Sequence, residues 1–599
     1  MLNFFIRKPN FYLQFFGGSN MNIKNKRIID AVYAMFILMW LCSLSKTDAY
    51  FSDYCCMAFL SFYLQVCRQD DRQTTLSALT WTLSAVCAFL CWLANYDLFT
   101  QTVLTSASRF TNLAINSIST VQCIAGGVAT FIPIFRALFA KRSFRCEPFS
   151  VGNLKRFALL TFGSMAAVRF FFLFLAAYPG YVTQDTFGQI EEMLSGEYSN
   201  FHTFWNTIMM QGILSIGYSI GGNINAAIAF YCTIQAILLS FTFTYCLVTM
   251  VYYGIPRFFL WAAYAFYLIA PCNVVMSVTM WKDVPFAAAC LLLLCSWLRI
   301  QSGLGKNVKR DYIVFVFANL LLIVSRSFGW LICLVTFIIH IIFIRKKRLL
   351  IIAMGIIAAI GWFLLNPALS MLNVSGSDLA ESLSLPIQQV SRVIAEGCEL
   401  SQEDNALLSQ VVDLENVSQQ YTSWLSDYMK REVRSKNYAY FQEHLADYAR
   451  LWIRLGIQHP WLYLKAWVDQ TRGYWNAGYS SFMYTLSITD NPYGVANSSA
   501  GIITTLCRYC FNLTQYLTIF EPLHSTGLYV WGIILAFIMN IRQKKIELFL
   551  MVPLLLIVLG LWLGAPHYCL FRYTYPLFIA LPLVVTTFFE KVQEKINGK

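Results

Sequence analysis

Long apolar runs alternate with short polar stretches along most of the chain. They fall at about 28–45, 51–67, 75–95, 113–135 and 157–177, then at 204–220, 224–249, 257–278, 284–298, 311–325, 328–344 and 349–366, and finally at 526–541, 546–563 and 574–589. Runs of this length and composition predict membrane-crossing helices. The fold expected is therefore an all-α polytopic membrane protein. Two stretches break the pattern: a polar island, "AAYPGYVTQDTFGQIEEMLSGEYSNFHTFW" at 176–205, and roughly 150 residues of ordinary soluble composition at 370–523. Four regions follow: N-terminal transmembrane helices over 1–154 (about four spans), a transmembrane core over 155–369 with its first outer loop at 178–203, a helical extracytoplasmic domain over 370–523, and C-terminal transmembrane helices over 524–599.

Within the polar island, Tyr178-Pro179-Gly180 ends the preceding run, because proline cannot extend a helix and glycine tolerates the turn. From Thr183 the pattern becomes amphipathic, with Phe187, Ile190 and Leu194 on one face and Gln184, Gln189, Glu191 and Glu192 elsewhere. A short helix on the bilayer surface is predicted, with Asp185 at its start. That carboxylate also fits a first-turn residue suited to the helix dipole. In the soluble region, Ser401-Gln402-Glu403-Asp404 is a capping-box-like start, and the helical spacing after it is broken at His459-Pro460.

Charge orients the spans. The chain is 58% hydrophobic and 13% charged, with a formal net charge of +13. The basic residues cluster between apolar runs, at Lys24, Lys26 and Arg27, at Arg68 and Arg72, from Arg136 through Lys141, Arg142 and Arg145 to Arg156, at Arg299, Lys306, Lys309 and Arg310, from Arg345 to Arg348, and at Arg542, Lys544 and Lys545. This is the positive-inside arrangement, and it excludes a nucleic-acid role for the charge. It places both termini in the cytoplasm, the first run as a retained anchor in the cell (inner) membrane, and the islands holding Asp185 and Lys282-Asp283 on the outer face. Those islands share a face only if the stretches between them cross an even number of times. The run 204–220, interrupted by Gly212, Gly217 and Gly221-Gly222, is the one read as not crossing.

Eighteen cysteines lie mostly in apolar runs, and Cys507 and Cys510 form a lone C-x-x-C without partners for zinc. Neither a phosphate-binding loop nor an internal repeat is present. The sequons at Asn373, Asn416, Asn497 and Asn512 matter only in a host that glycosylates them.

The outer face collects Asp185, Asp283, Lys282, Arg326, Arg572, His202 and His567. Cations hold a phosphate leaving group, and a carboxylate takes the proton of an attacking hydroxyl. Asp185 and Asp283 are the catalytic candidates; Lys282, Arg326 and Arg572 are the phosphate-binding ones. Gln189, His202 and His567 are candidates for acceptor contacts, although each imidazole taken alone is better explained as a lone interfacial group.

The segments "YPGYVTQDTFGQ", "FHTFW", "APCNVVMSVTMWKDVPFAAACLLLL", "VSRSFGW" and "APHYCLFRYTYPLFIALPL" resemble the GT-C superfamily of integral-membrane glycosyltransferases, which includes protein O-mannosyltransferases and the lipid A aminoarabinose transferase. The likeness runs from about 155 to 590 and is nearest to an uncharacterised bacterial branch. It implies a GT-C-like helix bundle, a polyprenyl-phosphate sugar as donor, a cell-envelope glycan, lipid or protein as acceptor, and an extracytoplasmic site. By position it makes Asp185 the catalytic base and Asp283 the second-loop acid, with Arg326 and Arg572 at donor-phosphate positions. Thr186 follows Asp185 where many relatives carry a second acid, and Thr203 follows His202 where many carry proline; a divalent cation is left open. Membrane sugar transfer is the function expected. The alternatives are an envelope polysaccharide polymerase or ligase, and a lipid-linked sugar transporter or flippase.

Overall fold

The computed structural model describes residues 23–44, 51–66, 78–100, 109–139, 152–304, 308–343, 348–374, 376, 378–476, 486–496, 501–516, 521–543, 545–564 and 567–589. Arg68, Arg72, Lys141, Arg142, Arg145, Lys306, Arg345, Lys346, Lys347, Lys544 and the sequon at Asn497 lie outside the described residues. The described residues are overwhelmingly helical, 81% by count, with no strand among them. Among the described residues, six helical segments are long and apolar enough to cross a membrane: Asn112–Arg136, Leu154–Ala176, Ile224–Tyr253, Asp283–Ser302, Arg348–Met371 and Ile546–Gly564. Several of the other expected spans form shorter apolar helices, such as Arg257–Ile269 and Ser327–Phe343.

The chain divides into two compact units. The first holds α1 (Ile23–Leu44), α2 (Phe51–Val66), α3 (Ala78–Ala94) and α4 (Arg109–Phe139), with Asn476 and the turn Glu521–His524. Small residues set its packing, as expected where lipid gives helices no hydrophobic reason to associate. A Cβ on Gly126 would lie 2.6 Å from the Phe36 carbonyl oxygen, and one on Gly127 would lie 2.8 Å from Ala88 Cβ, so α4 meets α1 and α3 nearly backbone to backbone. The buried Trp40 ring packs edge-on against Tyr54 and Phe131, and the Tyr54 hydroxyl donates to Asn476 Oδ1 at 2.8 Å.

In the second unit, α5 (Leu154–Ala176) leads to the short α6 (Gln184–Ser195), α7 (Phe204–Gly221), α8 (Ile224–Tyr253), α9 (Arg257–Ile269), α10 (Pro271–Met276) and α11 (Asp283–Ser302). These are followed by α12 (Val308–Ser325), α13 (Ser327–Phe343) and α14 (Arg348–Leu365), and, after the soluble region, by α15 (Thr526–Arg542), α16 (Val552–Gly564) and α17 (Phe571–Thr586). Helix α11 is apolar on all sides, and every residue from Asp283 to Ile300 is buried, so it is the axis around which α8, α12 and α17 pack.

The run 257–278 is not one helix. It breaks at Ala270-Pro271, where the proline starts a new turn. Helix α8 links two polar clusters of the bundle. Its Cys232 and Gln235 bond to the 276–279 carbonyls beside Tyr181, whereas at its far end Tyr245 bonds Asp311 and Tyr253 bonds Glu547.

The region between α14 and α15 is helical, as its spacing predicts. Ser401 caps Gln402–Ser409 by accepting from the Asp404 amide at 3.0 Å, and His459-Pro460 separates Leu445–Gln458 from Pro460–Thr471. In α6, Phe187 and Ile190 are buried as expected, but Leu194 is exposed.

Candidate functional site

Two loops far apart in sequence are zipped together, and that contact builds the site. The Tyr181 amide donates to the Val278 carbonyl at 2.8 Å, and the Met280 amide donates back to the Tyr181 carbonyl at 2.9 Å. The Trp281 indole donates to Thr183 Oγ1 at 2.6 Å, and the buried Thr186 hydroxyl donates to the Met280 carbonyl. Gly180, at φ +127°, makes the approach possible: a Cβ there would strike the Cys232 thiol and lie 3.0 Å from the Val278 carbonyl oxygen. The zipper sets Asp185, in the first turn of α6, beside Lys282 and Asp283 at the head of α11. The Thr186 hydroxyl is spent on this junction.

Asp185, His202, Lys282, Asp283, Arg326 and Arg572 line one cavity of about 480 Å³ together with Phe201, Phe286, Phe328, Glu381, Ser382, Asp427, Ile557, Gly560, Leu561, Gly564 and Tyr573. Arg572 Nη1 donates to Asp185 Oδ2 at 2.5 Å, and its Nε lies 4.0 Å from Asp283 Oδ2. Arg326 Nε lies 3.0 Å from Asp283 Oδ1. The Tyr573 ring stands 4.9 Å from each guanidinium, a cation–π contact on two sides. Four helices, α6, α11, α13 and α17, begin at this cavity, so their partial positive ends add to the three cations.

The environment sets protonation. Burial alone would raise the Asp185 carboxyl, but the Arg572 guanidinium, with Lys282 behind it, holds it below the ordinary carboxylate value. Burial, with Arg326 nearby, lowers the Lys282 ammonium from 10.5 to about 8. No carboxylate among the described residues lies within ion-pair distance of it. Burial and then Lys282 lower His202 to about 4, so its imidazole is neutral at physiological pH. Its ring lies over Gly188, where a Cβ would stand 3.1 Å from Nε2.

Residues 194–599, more than half of the chain, match the family described as "Family of unknown function (DUF6020)". The chain belongs to this family. No curated protein and no solved structure matches it. The part of this DUF6020 chain that matches takes in His202, Lys282, Asp283, Arg326 and Arg572, and begins on the helix that carries Asp185.

Two acceptor-contact candidates are not brought to the cavity. Gln189 is buried and donates to Asn206 Oδ1 at 3.1 Å and Thr207 Oγ1 at 3.0 Å, which ties α6 to α7. His567 stacks with Tyr568 and packs edge-on against Trp424, while its Nδ1 accepts from the Cys569 amide at 3.3 Å. Conversely, the pattern of runs passed over Glu381, Asp427 and the face of α16 formed by Ile557, Gly560, Leu561 and Gly564. The two acids sit in soluble-type sequence with many other charges. The α16 residues fall at helical spacing in an apolar run, the one signal that could have marked a face.

The donor set in the DUF6020 cavity does not fit a divalent cation. Asp185 and Asp283 are each engaged by arginine, and among the described residues no group of three or more His, Cys, Asp or Glu is placed to hold a metal.

Proposed function

We propose that the protein transfers a sugar from a polyprenyl-phosphate-linked donor to a cell-envelope acceptor on the outer face of the membrane, in the manner of GT-C glycosyltransferases. The observation that carries this reading is the meeting of two carboxylates and three cations, drawn from four separate segments, in one cavity with an apolar wall. Lys282, Arg326 and Arg572 take the donor phosphate, aided by the helix starts around it. The α16 face, with Phe286 and Phe328, suits the isoprenoid side of such a donor.

In the reaction, the bond from the anomeric carbon to the phosphate oxygen breaks as the acceptor oxygen bonds that carbon. The acceptor's proton goes to Asp185, and polyprenyl phosphate leaves. A carboxylate held by Arg572 is a weak base. Donor phosphate competes for the same guanidinium, and as that contact is shared the Asp185 carboxylate regains basicity when the donor is in place. Asp283 keeps Arg326 and Arg572 oriented.

The flippase alternative needs charges along a path through the bundle. Arg169, midway along α5, is such a charge, and the expectation that charges gather at one face missed it. It is fully buried, donates to the Met165 and Tyr267 carbonyls at 2.9 Å each and lies over Phe243, which gives it a packing role.

The test is the full chain in bilayers with a panel of polyprenyl-phosphate sugars. Wild type should release polyprenyl phosphate and a sugar product, and Asp185→Asn should lose at least about 10²-fold in turnover while inserting normally. Undiminished turnover in Asp185→Asn would refute the assignment. Addition of many sugars in one step would point instead to a block polymerase or ligase.

A further inference from the structure

The soluble region of the second unit contains a second cavity of a different character. It measures about 290 Å³ and lies between the two clusters that make up the domain's core, one around Val411, Val412, Val433 and Phe441, the other around Val393, Leu408, Leu451 and Leu455. Its wall carries no charged side chain. Two of its polar groups are already used: the Tyr448 hydroxyl donates to the Leu407 carbonyl at 2.9 Å, and the Trp452 indole donates to Gln389 Oε1 at 2.8 Å. Apolar cavities of about 150 Å³ stay dry and take up apolar ligands. This one is larger, and apart from the Ser391 hydroxyl its free wall is carbon, so carbon contacts dominate what it takes up.

Two features select the occupant. Leu445, Ala449 and Trp452, at i, i+4 and i+7 on Leu445–Gln458, line the cavity, and the first two are exposed, so this helix edge forms a mouth. On the opposite wall, the stretch that lines this cavity from Leu383 through Pro386 to Val390 follows directly on Glu381 and Ser382, which line the ionic cavity. One short segment thus serves both spaces. A ligand reaching from one to the other has an uncharged chain at one end and a polar group at the other.

We propose that this cavity binds the alkyl or isoprenoid chain of an amphiphilic substrate, with its polar end directed along the 381–387 segment toward the ionic cavity. The direction of the polar end rests on the transferase reading; the chain site does not. On that reading, in which the donor's isoprenoid lies on the α16 face, the chain here belongs to the acceptor, which is then a lipid and not a free sugar.

The test is photolabelling of the full chain in nanodiscs with a diazirine-bearing sixteen-carbon alcohol, read by peptide mass spectrometry. Label is expected on peptides containing 383–394 and 445–452. Ile387→Trp, which fills the cavity, and Leu445→Glu, which charges its exposed mouth without touching the core, should each reduce that label by about tenfold or more, the effect of losing one large apolar contact. Asp185→Asn should label like wild type, so a failure of the transferase reading leaves this result intact. Label confined to the membrane spans, equal labelling of wild type and Leu445→Glu, or a co-purifying polypeptide cross-linked at 445–452 would overturn the proposal.

Discussion

Lys282 is held in an unfavourable place. Its ammonium is partly buried, has no carboxylate in contact and sits among two guanidinium groups, which is why it releases its proton at about 8 and not 10.5. The folded pKa is the lower one, so folding costs free energy below about 8, and the cost fades as pH rises from 8 to 10.5. The full shift would correspond to about 3 kcal/mol; partial exposure reduces this to about 1–2 kcal/mol. A cation kept at that cost awaits an anion. Lys282→Met should therefore raise the melting temperature at pH 7 while weakening donor binding. In wild type the donor KM should climb as pH passes 8, and in the variant that climb should vanish. A variant that melts lower, or a KM that is flat from pH 7 to 9 in wild type, would show that Lys282 is a structural residue. Thr203 illustrates the other kind of residue. Its φ of +68° is rare for a β-branched side chain and closed to proline, so a His-Pro pair could not be accommodated in this backbone.

Among the elements, the decisive one is the loop between α10 and α11, because it carries Lys282 and Asp283. The amide of Gln235, on α8, lies within hydrogen-bonding distance of three carbonyls in it, Met276 at 3.0 Å, Ser277 at 3.2 Å and Thr279 at 2.8 Å. The Met276 and Thr279 carbonyls also accept from the Thr279 and Trp281 amides, at 3.3 and 2.9 Å, whereas the Ser277 carbonyl, just past the end of the six-residue α10, takes its donor from Gln235. Gln235→Leu keeps the shape but removes the donor to the Ser277 carbonyl and the second donor to the other two, at about 1–3 kcal/mol. It should cut turnover without touching the cavity, whereas Gln235→Glu, which keeps an acceptor but loses the donor hydrogens, should do no better. Melting curves and turnover together decide; a Gln235→Leu protein with normal turnover would mean that the loop holds itself. Element ends marked by Pro179, Gly180, Gly222 and Pro460 were legible because backbone chemistry alone dictates them. The break at Ala270-Pro271 lay hidden inside continuous apolar sequence, and so did the exposure of Leu194, which depends on what packs against α6. The convergence of Asp185 and Asp283 could be read only as a shared side. Their proximity comes from the Tyr181–Val278 zipper, a backbone contact that no residue pattern announces.

At the scale of the larger unit, the membrane bundle and the soluble helices share the ionic cavity, and their charges are set against each other. Glu381 and Asp427 would place two negative charges on its wall, opposing an anionic ligand. Lys430, almost fully buried, bonds both, at 2.7 Å each, and Arg434 holds Glu381 at 2.5 Å and also Asp378. The soluble helices thus carry their own compensation for the two acids. Lys430→Met removes one positive charge, which breaks the Asp427 ion pair and leaves Glu381 to Arg434. Because the ammonium is buried while its partners are part-exposed, the stability loss should be about 1–3 kcal/mol, below that of a fully buried pair. Donor KM should rise about tenfold at low salt, and the difference from wild type should shrink as ionic strength screens the freed Asp427 carboxylate. Lys430→Arg, which restores the charge, separates electrostatics from packing: it should recover most of the affinity even if it melts lower. Equal KM values for wild type and Lys430→Met at low salt would mean that the potential in the cavity is set by the bundle alone. The soluble region would then be a cover over the site and not part of its electrostatics.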